Sequence, residues 1–241
     1  MNKRSILLFL TLCLGFGPAA FAQGPAAKAR ALGVQTKKTQ AAMTIPAALK
    51  LLKAGNERFV AGKLINQKRY RKQVPLTAKG QYPYAAILSC LDSRVGVEQI
   101  FDLNNGDVFN GRIAGNVMNP DMLGSFEFAT KLYQARIVLV LGHSDCGAVK
   151  GACDFDRLGN LTGLLMRIEP AVELIGRDWK DGEKNSKNPA FVEAVGEANV
   201  RLVMQSITKG SPIMKELVDS GKILIVGGIY DLKTGRVRFL S

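Results

Sequence analysis

The sequence predicts an α/β fold: a mainly parallel central β-sheet flanked by helices, with a C-terminal edge strand and an N-terminal helical arm. Two observations predict it. Short runs that are apolar on both faces recur along the chain, as in strands buried inside a parallel sheet. Segments with the apolar spacing of helices lie between these runs. A chain of 241 residues with 47% hydrophobic residues suits one such domain.

The individual elements follow from the same patterns. The first helix is predicted at residues 47–60, with Thr44 as its N-cap and Pro46 in its first turn. Near the C-terminus, residues 227–240 are predicted to form a strand, a turn at residues 233–235 and then the C-terminal edge strand. Buried strands are predicted at 84–89, 136–141 and 222–227, and another short strand near 107–112. Helices are predicted at 97–103, 122–134, 161–175 and 191–207, the last continuing to 218.

The first 22 residues have the pattern of a secretory signal peptide. Lys3 and Arg4 precede an apolar run at residues 6–16, and Ala20 and Ala22 form a small-x-small cleavage signal. We therefore expect cleavage after Ala22 and a periplasmic or secreted protein. The apolar run is shorter than the roughly 20 residues of a membrane-spanning helix, so no stable membrane insertion is expected.

The remaining chain is predicted to form an arm and one domain. Residues 23–43 are rich in Ala, Lys, Gln and Thr without an apolar period, which predicts a flexible arm. Residues 44–241 form the single domain. The net charge of +13 becomes +11 without Lys3 and Arg4. Because the basic residues are scattered and not interleaved with aromatic residues, we expect no nucleic-acid partner.

Cleavage leaves three cysteines, which argues against a disulfide scaffold and leaves either a metal site or one bridge and one free thiol. Cys90 follows one buried strand, and His143 and Cys146 follow another. Ligands gather at the carboxyl ends of parallel strands. Two thiolates and one imidazole suit tetrahedral zinc with an open fourth position. The alternatives are buried free thiols, a Cys90–Cys146 bridge and a structural His143, although His143 is the only histidine. Cys153 is interpreted as a helix-face residue.

Asp92 and Arg94 lie directly after Cys90, and their spacing admits two interpretations. In the first they form an ordinary surface ion pair. Beside a metal, a carboxylate held by a guanidinium can instead orient a water molecule for reaction. If Arg94 moved away, Asp92 could become the fourth ligand and close the site.

Together these motifs resemble the β-class carbonic anhydrases. The two metal motifs are "SCLDSR" at residues 89–94 and "GHSDCGAV" at residues 142–149. The similarity extends to "GNERFVAGK", "GDVFNGRIAGNV" and "YDLKTGRV", and it covers residues 48–240. The family usually has two apolar residues and then Arg-Asn-Ala-Gly-Asn, whereas this chain has Asn110, Gly111 and Ile113 at three of these positions.

The resemblance implies a zinc lyase that hydrates CO2 reversibly to bicarbonate and a proton. It implies one Zn²⁺ per chain, held by Cys90, His143 and Cys146. A zinc-bound hydroxide would be oriented by the Asp92–Arg94 dyad, and Gln81 would bind substrate oxygen. The resemblance also implies a homodimer or a dimer of dimers with the active site at the interface.

Two other functions are compatible with the same residues. One is the same zinc chemistry on carbonyl sulfide or carbon disulfide. The other is a catalytically silent zinc or bicarbonate-binding protein, in which Asp92 permanently occupies the fourth position. A pH series of CO2 hydration separates the silent protein from an enzyme.

Overall fold

The structure is a computed structural model that describes residue 29 and residues 31–240. Its centre is a five-stranded sheet with the strand order β2-β1-β3-β4-β5. The first four strands run parallel, and β5 pairs antiparallel with β4. This confirms the predicted α/β fold. The strands are β1 (Ala85–Ser89), β2 (Val108–Arg112), β3 (Ile137–His143), β4 (Leu224–Tyr230) and β5 (Val237–Leu240).

The central strands β1 and β3 are buried at every residue, because helices cover both faces of the sheet. Alternate residues of β1 enter different hydrophobic clusters: Ile87 packs with Leu52 on one face. Leu88 packs with Phe126 on the other face. The register pairs Ser89 with Leu141. The residues that follow these two positions therefore emerge side by side at the carboxyl edge of the sheet.

The helices flank this sheet, and short 3₁₀ segments at Gln67–Arg69 and Ala114–Asn116 connect some of them. The helices are α1 (Lys37–Ala41), α2 (Ile45–Val60), α3 (Tyr70–Thr77), α4 (Val97–Ile100), α5 (Pro120–Glu127), α6 (Gly147–Cys153), α7 (Gly159–Leu165), α8 (Glu169–Gly176), α9 (Pro189–Gly210) and α10 (Pro212–Asp219).

Three predicted helices differ from the observed ones, mostly for reasons of capping. The predicted helix at 122–134 begins earlier, because Asn119 caps α5, and it ends in the π-helical segment Phe128–Leu132. The predicted helix at 161–175 is two helices, α7 and α8. The predicted continuation to 218 is the separate helix α10, which Ser211 caps ahead of Pro212. The predicted N-cap Thr44 is confirmed, since its hydroxyl accepts from the backbone N–H of Ala47.

The described part of the predicted arm, residues 31–43, packs on the domain and contains helix α1. Helix α1 agrees with the predicted N-terminal helical arm. Gln40 is buried, and its amide nitrogen donates to the carbonyl oxygens of Pro83 and Tyr133, both at 2.7 Å. The predicted signal peptide, residues 1–22, lies outside the described residues. Within the described part of the chain, every helix is too short or too polar to cross a bilayer.

Candidate metal centre

Three buried side chains converge at the carboxyl edge of the sheet. Cys90 follows β1, His143 ends β3, and Cys146 precedes the first turn of α6. Their ligand atoms all lie within 4.8 Å of one another. The two sulfur atoms are 4.0 Å apart, and both thiols are free. The structure thus brings together the three residues that the sequence predicts as metal ligands.

The imidazole of His143 is oriented to offer a lone pair to this cluster. Its Nδ1 lies 2.9 Å from the carbonyl oxygen of Ser144, and this oxygen can only accept a hydrogen bond. We therefore assign the proton to Nδ1, which leaves Nε2 as an acceptor. Nε2 is buried and has no hydrogen-bond partner among the described residues. A buried acceptor of this kind fits a metal ligand.

The arrangement of the two cysteines favours one thiolate that is hydrogen-bonded to the other thiol. The hydrogen bond with Cys146 is the main cause that lowers the pKa of Cys90. The same bond, together with burial, raises the pKa of Cys146. The backbone N–H of Gly115 also approaches Cys90 Sγ at 3.4 Å. One thiolate is therefore already favoured before any cation binds, and a soft divalent cation would stabilise both.

Glycine at position 142 lets β3 carry His143 into this cluster. A Cβ atom there would lie 2.7 Å from Cγ2 of Val200 and 3.2 Å from Cδ1 of Ile229. Such distances are far below ordinary carbon–carbon contact. Helix α9, which carries Val200, therefore packs directly against the backbone beside His143.

Asp92 and Arg94 form a bidentate pair beside the cluster. The guanidinium donates to Oδ1 at 2.9 Å and to Oδ2 at 2.7 Å. Hydrogen bonds from Arg94 hold the pKa of Asp92 well below its usual range. Asp92 Oδ2 lies 4.0 Å from His143 Nε2, so the carboxylate is next to the ligand set. The side chain of Asp92 is 16% exposed and that of Arg94 54% exposed, so the pair lies at the edge of the buried site.

A cleft of about 560 Å³ opens beside Arg94. Its walls carry charges of both signs, including Asp145, Lys150, Glu193 and Asp231. Lys150 pairs with Asp145 across the first turn of α6. Solvent and small ions therefore have access to the exposed side of the dyad.

The family profile described as carbonic anhydrase matches residues 85–237. The chain belongs to the carbonic anhydrase family. A carbonic anhydrase 2 of Mycobacterium tuberculosis is 37% identical over 195 residues, which cover 79% of this chain and 90% of the relative. The homologues named carbonic anhydrase identify the protein as an enzyme of this type, and the solved relatives place it in the β class.

Two solved structures illustrate the relation to β-carbonic anhydrases. The enzyme CafA of Aspergillus fumigatus has a TM-score of 0.63 and 28% identity, with 78% of this chain and 88% of that chain covered. Tetrameric β-carbonic anhydrases of Sordaria macrospora include one with a TM-score of 0.62 and 23% identity, covering 78% and 94% of the two chains. The second likeness concerns the fold alone.

Two residues that the sequence singled out lie apart from the ligand cluster of this carbonic anhydrase. Gln81 is exposed and precedes β1, whereas Cys90 follows that strand. Five strand residues span about 17 Å, so Gln81 lies at the opposite edge of the sheet from its own Cys90. Cys153 is buried at the end of α6, and burial raises its pKa to about 11. It is outside the three-residue cluster, in agreement with its interpretation as a helix residue.

Several residues around the site were not assigned a role from the sequence. Arg112 donates to the carbonyl oxygens of Cys90 and Asp92, at 3.1 Å and 2.6 Å, and so fixes the loop that carries both. The hydroxyl of Ser144 accepts from the backbone N–H of Leu232 at 3.0 Å. Both residues lie inside quoted motifs, but spacing alone does not reveal which backbone groups they contact.

The three departures from the usual carbonic anhydrase pattern have local structural explanations. Asn110 donates to Glu98 Oε1 at 3.2 Å. A Cβ atom at Gly111 would lie 2.5 Å from the sulfur of Met122, so a side chain at this strand position would require Met122 to move. Ile113 packs against two of the hydrophobic clusters. These contacts concern the packing around β2 and leave the ligand cluster unchanged.

Proposed function

We propose that the protein catalyses the reversible hydration of CO2 with one Zn²⁺ per chain, held by Cys90, His143 and Cys146. The observation that carries the proposal is the convergence of three buried donor atoms within 4.8 Å beside a carboxylate–guanidinium pair. Two thiolates and one imidazole match the donor preference of zinc. The unpartnered Nε2 of His143 supports the same assignment.

Three protein ligands would leave one coordination position for water. Zinc bound there would lower the pKa of its water to about 7 and so would supply a nucleophile near neutral pH. The remaining chemistry belongs to side chains of the protein. They must orient this water, accept its hydrogen bond and receive the polar product.

Asp92 is the residue that we assign to orientation. Its low pKa keeps it ionised, so it can only accept hydrogen bonds, and a water molecule bound beside His143 can donate to it. Arg94 holds both oxygens of Asp92 in place. While it does so, Asp92 is not free to serve as a fourth ligand. The bidentate pair therefore supports an open site over the closed one.

The proton released in each cycle needs an acceptor other than histidine. His143 is the only histidine of the chain and is assigned as a ligand. We infer that the proton leaves through water to the external buffer, because the low pKa of Asp92 makes its carboxylate a poor proton acceptor. Turnover should therefore rise with buffer concentration, and turnover independent of buffer would contradict this route.

We propose that Gln81 binds substrate oxygen in the active site of a second copy. Gln81 lies at the opposite edge of the sheet from its own Cys90, so it cannot serve that site. Strand β2 ends the sheet, and Phe128 contacts Phe109 of this strand. Phe128 and Leu132, at the two ends of the π-helical segment, are 44% and 68% exposed. Exposed apolar side chains next to an edge strand suit an interface between copies. A homodimer or a dimer of dimers would bring Gln81 to the active site of a second copy and would cover these exposed apolar side chains.

The signal-peptide pattern supports the proposal that the enzyme is exported to the periplasm or beyond. Expression of the full chain in a bacterium with two membranes, followed by fractionation and mass measurement, tests this. Export predicts a periplasmic product that starts at Gln23. A cytoplasmic product that retains Lys3 and Arg4 would contradict it.

Stopped-flow measurement of CO2 hydration tests the central proposal. The chain starting at Gln23 is assayed from pH 6.5 to 9 with its zinc content, and Cys90→Ser serves as control. We expect about one zinc per chain and fast hydration that the control lacks. Zinc without hydration at every pH would favour the silent protein or another substrate. Failure to bind zinc after metal repletion would show that the ligand assignment is wrong.

A further inference from the structure

Helix α9 carries a buried asparagine, Asn199, in the middle of its apolar face. It is 2% exposed, and its neighbours on this face include Val195, Val200 and Val203. Asparagine is a weaker helix former than alanine, and a buried amide is costly unless it forms hydrogen bonds. The position therefore needs an explanation beyond the packing of the helix.

The amide of Asn199 reaches the loop that follows β2. Its Nδ2 donates to the carbonyl oxygen of Gly115 at 2.9 Å, in a buried contact between residues far apart in the chain. Gly115 has a φ of +63°, a conformation that favours glycine. A Cβ atom at this position would lie 2.5 Å from Cδ1 of Ile168. Gly115 is thus confined on one side by Ile168 and fixed on another by Asn199.

The backbone N–H of the same glycine contacts a predicted metal ligand. It donates to Sγ of Cys90 at 3.4 Å. Glycine permits more backbone conformations than any other residue, so this N–H needs an external constraint to stay directed at the sulfur. The bond from Asn199 to the carbonyl oxygen of Gly115 supplies the constraint.

We propose that Asn199 is a positioning residue for the metal centre, acting on Cys90 through the backbone of Gly115. This inference rests on the proposed role of Cys90 as a zinc ligand. Partners of metal ligands orient them and tune their basicity, and their loss typically lowers metal affinity about 10- to 100-fold. Without the Asn199 amide, the buried carbonyl oxygen of Gly115 loses its donor, and the N–H contact to Cys90 loosens.

The test compares Asn199→Leu, which has similar size but no donor, with the matched control Asn56→Leu. Asn56 is also a buried asparagine, and its amide donates to the carbonyl oxygens of Ile100 and Gly235 away from the cluster. Zinc affinity is measured by competition with a chelator. The protein loaded with Co²⁺ is then examined for its thiolate-to-cobalt charge-transfer band, which reports the environment of the sulfur ligands.

We expect Asn199→Leu to bind zinc about 10- to 100-fold more weakly and to shift the cobalt band. Asn56→Leu should lower the thermal midpoint and leave both metal readouts at wild-type values. If Asn199→Leu disrupts the packing of α9, the smaller Asn199→Ala provides the same readouts. Wild-type zinc affinity and an unshifted band in a folded Asn199 variant would overturn the inference.

The wild-type protein and Cys90→Ser separate this result from the fate of the proposed function. A cobalt band in the wild type that Cys90→Ser loses upholds Cys90 as a ligand, and an unchanged Asn199 variant then rejects the positioning role alone. If the wild type itself shows no thiolate-to-cobalt band, the ligand assignment fails, and the role of Asn199 fails with it.

Discussion

Polar groups are buried at the carboxyl edge of the sheet, where the parallel strands end, and at the amino edge, where they begin, but the two sets differ in their hydrogen bonding. At the carboxyl edge, Cys90, His143 and Cys146 point their ligand atoms at one another, and Nε2 of His143 lacks a partner among the described residues. At the amino edge, Asp107 Oδ2 accepts from the backbone and the side chain of Asn104, at 2.8 Å and 3.0 Å. Convergence of three ligand atoms within 4.8 Å distinguishes the site, since a buried atom without a partner, Asp107 Oδ1, also lies at the amino edge.

The network at the amino edge extends to the N-terminal segment. Gln73 donates to Asn104 Oδ1 at 2.6 Å and to the carbonyl oxygen of Leu32 at 3.0 Å. It also accepts from the backbone N–H of Asn105 at 2.8 Å. Such mutual hydrogen bonds stabilise the packing at this edge. Substitutions at the two edges should therefore affect catalysis very differently.

The largest loss of CO2 hydration is expected for Cys146→Ser. A serine hydroxyl is a poor replacement for a zinc-binding thiolate, so metal content and activity should fall almost to zero. Cys153→Ser, at the other end of the same helix, is the matched control and should retain both. Metal analysis and stopped-flow hydration provide the measurements. Equal zinc content in the two variants would remove the distinction between the residues.

A smaller but still large effect is expected for Arg94→Ala, because Asp92 loses both guanidinium donors and keeps only the backbone N–H of residue 94 at Oδ1. CO2 hydration should decrease about 10- to 100-fold while zinc remains bound. Arg94→Lys keeps the positive charge without the bidentate geometry and should give an intermediate rate. The rates are compared at equal zinc content. Wild-type activity in Arg94→Ala would show that the dyad has no part in the reaction.

Gly142→Ala tests whether packing by α9 holds His143 in place. The added methyl group meets Val200 and Ile229, and overpacking of this kind costs about 1–3 kcal/mol. Gly147→Ala is the control, since a Cβ atom there meets nothing within 4 Å. Urea unfolding of both variants gives the two free energies of unfolding. If Gly142→Ala is as stable as Gly147→Ala, the close approach of α9 is not a constraint.

Asp107→Asn should leave CO2 hydration unchanged and alter only the pH dependence of stability. Burial raises the pKa of Asp107 from 3.8 to about 7. Between about pH 4 and pH 7 the folded protein keeps a proton that the unfolded chain releases, so the stability contributed by this group falls as pH rises. The fall is at most about 4 kcal/mol and ends near pH 7. The Asn variant should lack this fall.

Urea midpoints of the wild type and Asp107→Asn between pH 4.5 and pH 8 provide this measurement. The two proteins should differ in slope below pH 7 and run parallel above it. Equal slopes throughout would mean that Asp107 titrates in the folded protein as it does in the unfolded chain.

The comparison also explains what the sequence could and could not predict. Strands β1 and β3 were predictable because they are apolar at every position except their ends, and this pattern is visible in the sequence itself. Cys90, His143 and Cys146 were predictable because they lie at or shortly after the carboxyl ends of two apolar strands. The helix starts that Asn119 and Ser211 cap were not predicted, because the spacing of apolar residues does not reveal a capping side chain.

Long-range polar contacts could not be predicted from the sequence, for a different reason. Arg112 and Asn199 donate to backbone carbonyl oxygens of distant residues, and the backbone N–H of Gly115 donates to the sulfur of Cys90. Nothing in residue type or spacing encodes which carbonyl oxygen an amide will meet after folding. In the same way, the burial of Gln40 depends on carbonyl oxygens of Pro83 and Tyr133 that its own segment does not contain.

The position of Gln81 at the amino edge has a consequence for how the enzyme would behave in solution. Under the proposed assignment, each catalytic centre includes one side chain, Gln81, from the neighbouring copy. Specific activity would then depend on total protein concentration, and it would decline on dilution below the dissociation constant of the assembly. A cell that exports the enzyme would have to keep it concentrated enough to work.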